Sequence, residues 1–178
     1  MTDAPEQPQL YLISPSEVDL MTFPDVLAAC LDATPVACVR LALGAKDEDK
    51  IARAADTLRG ITEPRDVALV IETHSKLVGR LGLDGVHLTD GALSVRAVRK
   101  DLGEDSIIGA FCGNSSHDGM TAGELSADYV SFGPVRETPL GGLSVAELDL
   151  FQWWSQMIEV PVVAEGALDD GQFATLAP

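Results

Sequence analysis

Four stretches of the chain carry side chains or backbone suited to chemistry. Cys112 and His117 lie close together. A thiol attacks only as the thiolate, with a base beside it. Nothing in their spacing fixes that geometry, so a structural role is expected for Cys112. His87 stands inside the run Asp84-Gly85-Val86-His87-Leu88, where the sequence assigns it no carboxylate partner. It reads as a satisfied core or rim histidine rather than a base. His74 follows an apolar run and opens a helical one, which suits contact with a ligand. Gly166-Ala167 follows another apolar run. Glycine permits close backbone approach, and barrels often seat phosphate on backbone amides after their late strands. A plain turn glycine is the alternative.

These residues need elements to hold them, and the hydrophobic pattern supplies a regular series. Strands are expected over 9–14, 36–43, 67–71, 85–88, 106–111, 129–133 and 160–166. Helices are expected over 23–33, 47–60, 75–83, about 93–102, 120–125, 145–158 and 169–176. Ile51, Ala54, Ala55, Leu58 and Ile61 fall at helical spacing as one buried stripe. Asp47, Glu48 and Asp49 suit that helix's first turn, and Gly60 is its expected stop. Leu93, Val95, Val98 and Leu102 are expected to line the fourth helix. The run Val67-Ala68-Leu69-Val70-Ile71 is apolar on both faces, as a buried parallel strand should be.

Seven strands alternating with helices imply an α/β fold with a parallel sheet. No GxGxxG follows the first strand, so a dinucleotide fold is not indicated. The even unit length favours a TIM-type (β/α) barrel, apparently incomplete at the C-terminus, with seven βα units visible. The chain has 178 residues, against ~200 or more for a full eight-fold barrel. Residues 1–8 read as a polar tail without the features of a signal peptide, and 9–178 as a single barrel domain.

Lys and Arg number 12 against 28 Asp and Glu, a formal net charge of −16. That argues against binding nucleic acid or an anionic membrane. A small phosphorylated ligand stays compatible, because a helix N-terminus holds phosphate locally. No apolar run approaches the ~20 residues of a membrane span. Cys30, Cys38 and Cys112 form no CxxC pair. A reducing, cytoplasmic setting is expected, with Cys30 and Cys38 buried as small hydrophobes.

Several segments resemble the thiamine-phosphate synthase/TenI family, in order along nearly the whole chain. Leu10-Tyr11-Leu12-Ile13 resembles its opening Y-L-I-T. Leu83 to Leu88 resembles G-A-D-G-V-H-L. Ser126 to Val135 resembles G-A-D-Y-V-G-x-G-P-V, and Glu137-Thr138-Pro139 stands at its P-T-P. Val160 to Ala167 resembles V-P-V-V-A-I-G-G. The resemblance implies an eight-fold barrel that joins an aminopyrimidine pyrophosphate to a thiazole phosphate with Mg²⁺. The bond to the pyrimidine methylene ionises, pyrophosphate leaves, and the thiazole nitrogen captures the cation.

The mouth residues depart from that pattern. At the family's Q-L-R-x-K motif, Arg40 stands at the glutamine, Ala42 at the arginine and Gly44 at the lysine. Lys46 is the nearby substitute. Glu72-Thr73 replaces N-D. The family's second metal-binding aspartate aligns near Ala92, with Asp90 two places earlier. Glu72 and Asp90 are the candidate ligands of a rearranged Mg²⁺ site, with two solvated rim carboxylates as the alternative. Phe111-Cys112-Gly113 replaces a Ser-Thr-His-like stretch, Leu140-Gly141-Gly142 follows the P-T-P site where a lysine is frequent, and Pro134 replaces the histidine of the TenI branch.

The resemblance thus assigns catalysis to Arg40, Glu72 and Asp90. Substrate contact falls to His74, Thr138 and Lys46, and phosphate binding to Gly166 and Ala167. The partner would be a phosphorylated small molecule. The alternative is a catalytically degenerate barrel that binds such a metabolite as a regulatory module. Phe151, Trp153 and Trp154 could form an assembly surface for a homo-oligomer, although packing of helix on barrel is the commoner use of such aromatics.

Overall fold

The computed structural model describes residues 8–139 and 142–176. Seven strands alternate with seven α-helices in chain order: β1 (Leu10–Ile13), α1 (Phe23–Ala33), β2 (Val36–Leu41), α2 (Glu48–Thr62), β3 (Ala68–Glu72), α3 (Ser75–Leu81) and β4 (Gly85–Leu88). There follow α4 (Val95–Leu102), β5 (Ile107–Phe111), α5 (Ser116–Glu124), β6 (Tyr129–Phe132), α6 (Leu148–Met157), β7 (Val162–Ala164) and α7 (Asp170–Leu176). All six strand pairings are parallel, and the order is β1-β2-β3-β4-β5-β6-β7. A doubly wound sheet would reverse that order at a switch point. This one curls instead. The Tyr11 and Tyr129 hydroxyls, from β1 and β6, meet at 2.6 Å, and Arg40 of β2 reaches Glu165 just beyond β7 at 2.7 Å. Among the described residues β7 and β1 do not pair, so the barrel is nearly but not fully closed.

From β2 to β6 the sheet is largely buried on both faces, which is why these strands read as continuous apolar runs, while β1 and β7 are only partly buried. Outward residues such as Val39, Leu69, Ile71, Val86, Ile108, Val130 and Phe132 pack under the helices. The α2 stripe of Ile51, Ala54, Ala55 and Leu58 is buried as its spacing predicts, and Asp47 caps the helix by accepting from the Asp49 amide.

Two aspartates at the opposite end from the strand tips hold the frame by the same device. The Asp84 carboxylate accepts from the Leu69 amide while its own amide donates to the Leu69 carbonyl. Asp128 does the same with Ile108. Asp128 also anchors Arg99, whose guanidinium donates to the carbonyls of Gly103, Ser106 and Ser126. These are the aspartates of two segments that resemble the family's motifs, and their hydrogen bonds tie the frame.

Several expectations are corrected. The α2 helix runs through Gly60 and stops at Thr62, where a 3-10 turn over Glu63–Arg65 takes over and Asp66 adopts φ 54°. Cys30 is exposed, not buried. The inward stripe of α1 passes through Phe23, Leu27 and Leu31 and leaves it outside. Leu93 is 86% exposed because it lies in the turn before α4 begins. The fifth helix starts earlier than expected, at Ser116, and the Ser115 side chain caps it on the Asp118 amide. The sixth is shorter, and β7 covers only Val162–Ala164. Phe151 and Trp154 are buried against Phe132, so only Trp153 of those three aromatics shows substantial surface.

Candidate active site at the carboxy-terminal mouth of the barrel

Because every strand is parallel and in sequence, the residues at or after their carboxyl ends gather at one rim. Arg40 is near the end of β2, Glu72 ends β3, Asp90 follows β4, Thr138 follows β6, and Gly166-Ala167 follows β7. Side chains alternate along each strand, so Tyr11, Arg40, Glu72, His87, Tyr129 and Ser131 point into the barrel.

Arg40 is the centre of this interior. It is 5% exposed and is clasped by two carboxylates. Its terminal nitrogens donate to both oxygens of Glu165, at 2.7 and 3.2 Å. Its Nε lies 3.2 Å from Oε2 of Glu72, as an ionic contact rather than a well-aligned hydrogen bond. The fork of a guanidinium suits this bidentate grip. Burial works against the cation, but the hydrogen bonds and charge of Glu165, with Tyr11 and Glu72 beyond, outweigh it and hold its pKa above the ordinary value. All three guanidinium nitrogens therefore face carboxylates, and none is turned to an incoming phosphate.

Beneath the clamp runs a chain of polar contacts. The Arg40 guanidinium lies 5.8 Å from the centre of the Tyr11 ring. Tyr11 meets Tyr129, and the Tyr129 hydroxyl lies 2.9 Å from His87 Nδ1. Burial raises both phenols above their usual pKa, so they stay protonated. Burial, with the Arg40 charge behind it, pushes His87 down to about 3. Its Nε2 and the Ser131 hydroxyl are buried without a partner. The Tyr129 ring fits across the interior because β5 offers Gly109 beside it, where any Cβ would collide with the ring.

The other sequence-derived residues lie around this core. Glu72 keeps one oxygen free and its side chain is 30% exposed. Thr73 follows it at φ 63°, an unusual conformation for a non-glycine residue, and half-buried His74 immediately precedes α3. Asp90 is exposed and accepts a short hydrogen bond from Ser94. Lys46 is exposed in the loop before α2, and Thr138 is half-buried. Gly166 (φ 81°) and Ala167 (φ 59°) form a left-handed turn whose carbonyl at Gly166 accepts from the Val135 amide. Leu140 and Gly141 lie outside the described residues.

The structure thus joins Arg40 to Glu72 directly, and leaves Asp90, Lys46, His74 and Thr138 without a contact to that pair. The described residues contain no group of three or more His, Cys, Asp or Glu able to hold a metal. Glu72 sits on a guanidinium and Asp90 is turned to Ser94, so this donor set does not fit a resident Mg²⁺. Cys112 is also set aside as a nucleophile. It is 4% exposed, its thiol is pushed up to about 12 by burial and then by Asp118, and the thiol donates only to the Ala110 carbonyl.

Sequence reasoning missed Glu165, although the signal was present. An acidic residue stands on an apolar strand end where the family's motif has isoleucine, in a chain where Arg40 replaces a glutamine. The two departures are one ion pair.

A family model described as thiamine monophosphate synthase matches residues 10–177. A thiamine-phosphate synthase of Rhodospirillum centenum is 40% identical over 169 residues, covering 94% of this chain and 80% of that protein. One from Erythrobacter litoralis is 39% identical, covering 90% and 77%. Among solved structures, a thiamine phosphate pyrophosphorylase from Pyrococcus furiosus superposes with a TM-score of 0.79 at 19% identity, covering 94% of this chain and 79% of that one. A 3-keto-L-gulonate-6-phosphate decarboxylase from Vibrio cholerae gives 0.66 at 16% identity, covering 96% and 83%. At such identities the two structures speak for the fold alone. No helix among the described residues is long and apolar enough to cross a membrane.

Proposed function

The chain belongs to the thiamine monophosphate synthase family, and from that premise we propose that it makes thiamine phosphate. It would join an aminopyrimidine pyrophosphate to a thiazole phosphate at the mouth of the barrel. The carbon–oxygen bond at the pyrimidine methylene breaks, and pyrophosphate leaves with the electron pair. The thiazole nitrogen then forms the carbon–nitrogen bond to the cation left behind. One observation carries this reading beyond the family resemblance: Arg40, Glu72 and Glu165 form an ordered charged cluster at the mouth. One guanidinium and two carboxylates sum to a net negative charge, fixed in place before any ligand arrives. Preorganised charge of that sign favours the cation that develops on the pyrimidine.

His74, Thr138 and Lys46 as substrate contacts, and Gly166-Ala167 as a phosphate seat, belong to the same proposal on their position at this rim. So do the treatment of residues 9–178 as one catalytic domain and a cytoplasmic setting, which three free cysteines suit. Mg²⁺ enters the proposal only with the pyrophosphate it accompanies, since Mg²⁺ commonly relies on substrate phosphates for part of its shell. Titrating Mg²⁺ into the protein alone should then give no binding heat, whereas a saturable heat would point to a protein-held site.

The test is a product assay with both phosphorylated substrates and Mg²⁺. Thiamine phosphate should form, and Glu72→Ala should reduce its rate at least tenfold. Binding of thiazole phosphate without turnover would favour a regulatory barrel instead.

A further inference from the structure

The outer wall formed by α5 and α6 carries apolar side chains that the fold does not use. Met120, Trp153 and Met157 are 37, 40 and 65% exposed. Helical spacing sets all three along one groove. The Trp154 ring lies against the Gly119 backbone of α5, where any Cβ would collide with it, so that side of α6 faces α5. Met157 follows Trp154 by three residues and Trp153 by four, which places it beside both on that flank. On α5, Gly123 faces Val160 just past the end of α6. Met120 precedes Gly123 by three residues and so stands on the flank of α5 turned to α6. Tryptophan and methionine are residue types enriched where proteins meet other proteins, and side chains of this size clustered in water mark an interaction surface.

The charge around the groove selects its occupant. Residues 101–178 carry thirteen Asp and Glu against one basic side chain, Arg136, which Asp169 engages. Asp149 precedes Trp153 by one turn, Glu159 follows Met157 by two residues, and both are exposed. A second copy of the chain would set this acidic wall against itself, or against residues 1–100, where eleven Lys and Arg face fifteen Asp and Glu. An anionic membrane or a nucleic acid would be repelled as well. An extended strand finds no edge to join here, because β5 and β6 are each paired on both sides. Two adjacent helices offer a groove for a third, read by apolar side chains at i, i+3 and i+4. We propose that the α5–α6 groove docks a basic amphipathic helix of a partner protein. Its apolar face rests on Met120, Trp153 and Met157, and its Lys and Arg side chains turn to Asp149 and Glu159. The groove lies on the outer wall, so this surface is independent of the reaction at the mouth.

Two tryptophan-free peptides of about five helical turns test it on the whole chain. One alternates Leu and Lys at amphipathic spacing, and the other has Glu in place of Lys. Titrating the Leu/Lys peptide should shift the emission of Trp153 to the blue and saturate at one peptide per chain. The Leu/Glu peptide should give no shift. In calorimetry, Trp153→Ala and Met157→Ser should each weaken the Leu/Lys peptide at least fivefold. Asp149→Lys with Glu159→Lys should weaken it as much and flatten its salt dependence. Glu17→Lys with Asp25→Lys makes the same charge change at exposed positions on the α1 side, and should leave affinity within twofold.

Thermal melts accompany each variant. If Trp153→Ala disturbs its neighbour Trp154, Met157→Ser and the two charge variants carry the test. Equal affinity for the two peptides, or a Leu/Lys affinity that survives Met157→Ser and Trp153→Ala, would overturn the docking site. So would equal weakening by both charge variants, which would mean attraction to the whole acidic surface. A dimer of the protein alone that Trp153→Ala dissociates would give the groove to a second copy and overturn the partner assignment.

Discussion

Arg40 and Glu165 stand where the family's motifs place glutamine and isoleucine, and each departure taken alone looks damaging. Together they form a buried bidentate pair. Removing one partner of such a pair strands the other charge and costs about 3–5 kcal/mol, while replacing both with neutral groups costs much less. Arg40→Gln and Glu165→Ile should therefore each destabilise strongly, and the double variant should recover most of the loss in a denaturant cycle. Additive losses would show that the pair is not coupled. His87 gives a second residue-scale prediction. Its pKa falls from 6.5 to about 3 on folding, so below pH 6.5 the unfolded chain binds a proton that the native chain does not. Stability should then fall as pH drops from 6.5 towards 3, by up to ~1.4 kcal/mol per pH unit. Denaturant midpoints measured across that range should flatten in His87→Gln, and an unchanged slope would refute the assignment.

At the scale of elements, the strand and helix order was legible in the sequence because parallel strands buried on both faces read as unbroken apolar runs. What escaped was set by other physics. The end of α2 depended on a 3-10 turn, and Gly60 signalled a stop that the helix ignored. Cys30 looked buried in an apolar stretch, yet only one narrow stripe of α1 meets the barrel. Glu72 could be placed at the mouth by counting along β3, but its partner Arg40 and the distant Glu165 meet only because the sheet curls. The aspartates at the far end illustrate a division of labour. Asp84 and Asp128 tie strand starts together, so Asp84→Ala and Asp128→Ala should each cost about 1–2 kcal/mol. Melting temperatures should drop while KM for both substrates stays unchanged, and a rise in KM without a drop in stability would place them in the site.

For the whole molecule, the departures from the family's motifs at Arg40, Glu72 and Glu165 lie together at the mouth. The interior contacts Tyr11–Tyr129 and Arg40–Glu165 both reach from the β1–β2 side to the β6–β7 side. They draw the two open edges together, so the residues that shape the mouth also help to curl the barrel. The net charge of −16 adds long-range repulsion for phosphorylated substrates, which makes turnover sensitive to ionic strength. The most direct measurement is a quenched single turnover with the protein in excess over both substrates, in the presence of Mg²⁺. Pyrophosphate and thiamine phosphate should appear in equal amounts with the same rate constant. Full binding of both substrates with neither product formed would contradict the account.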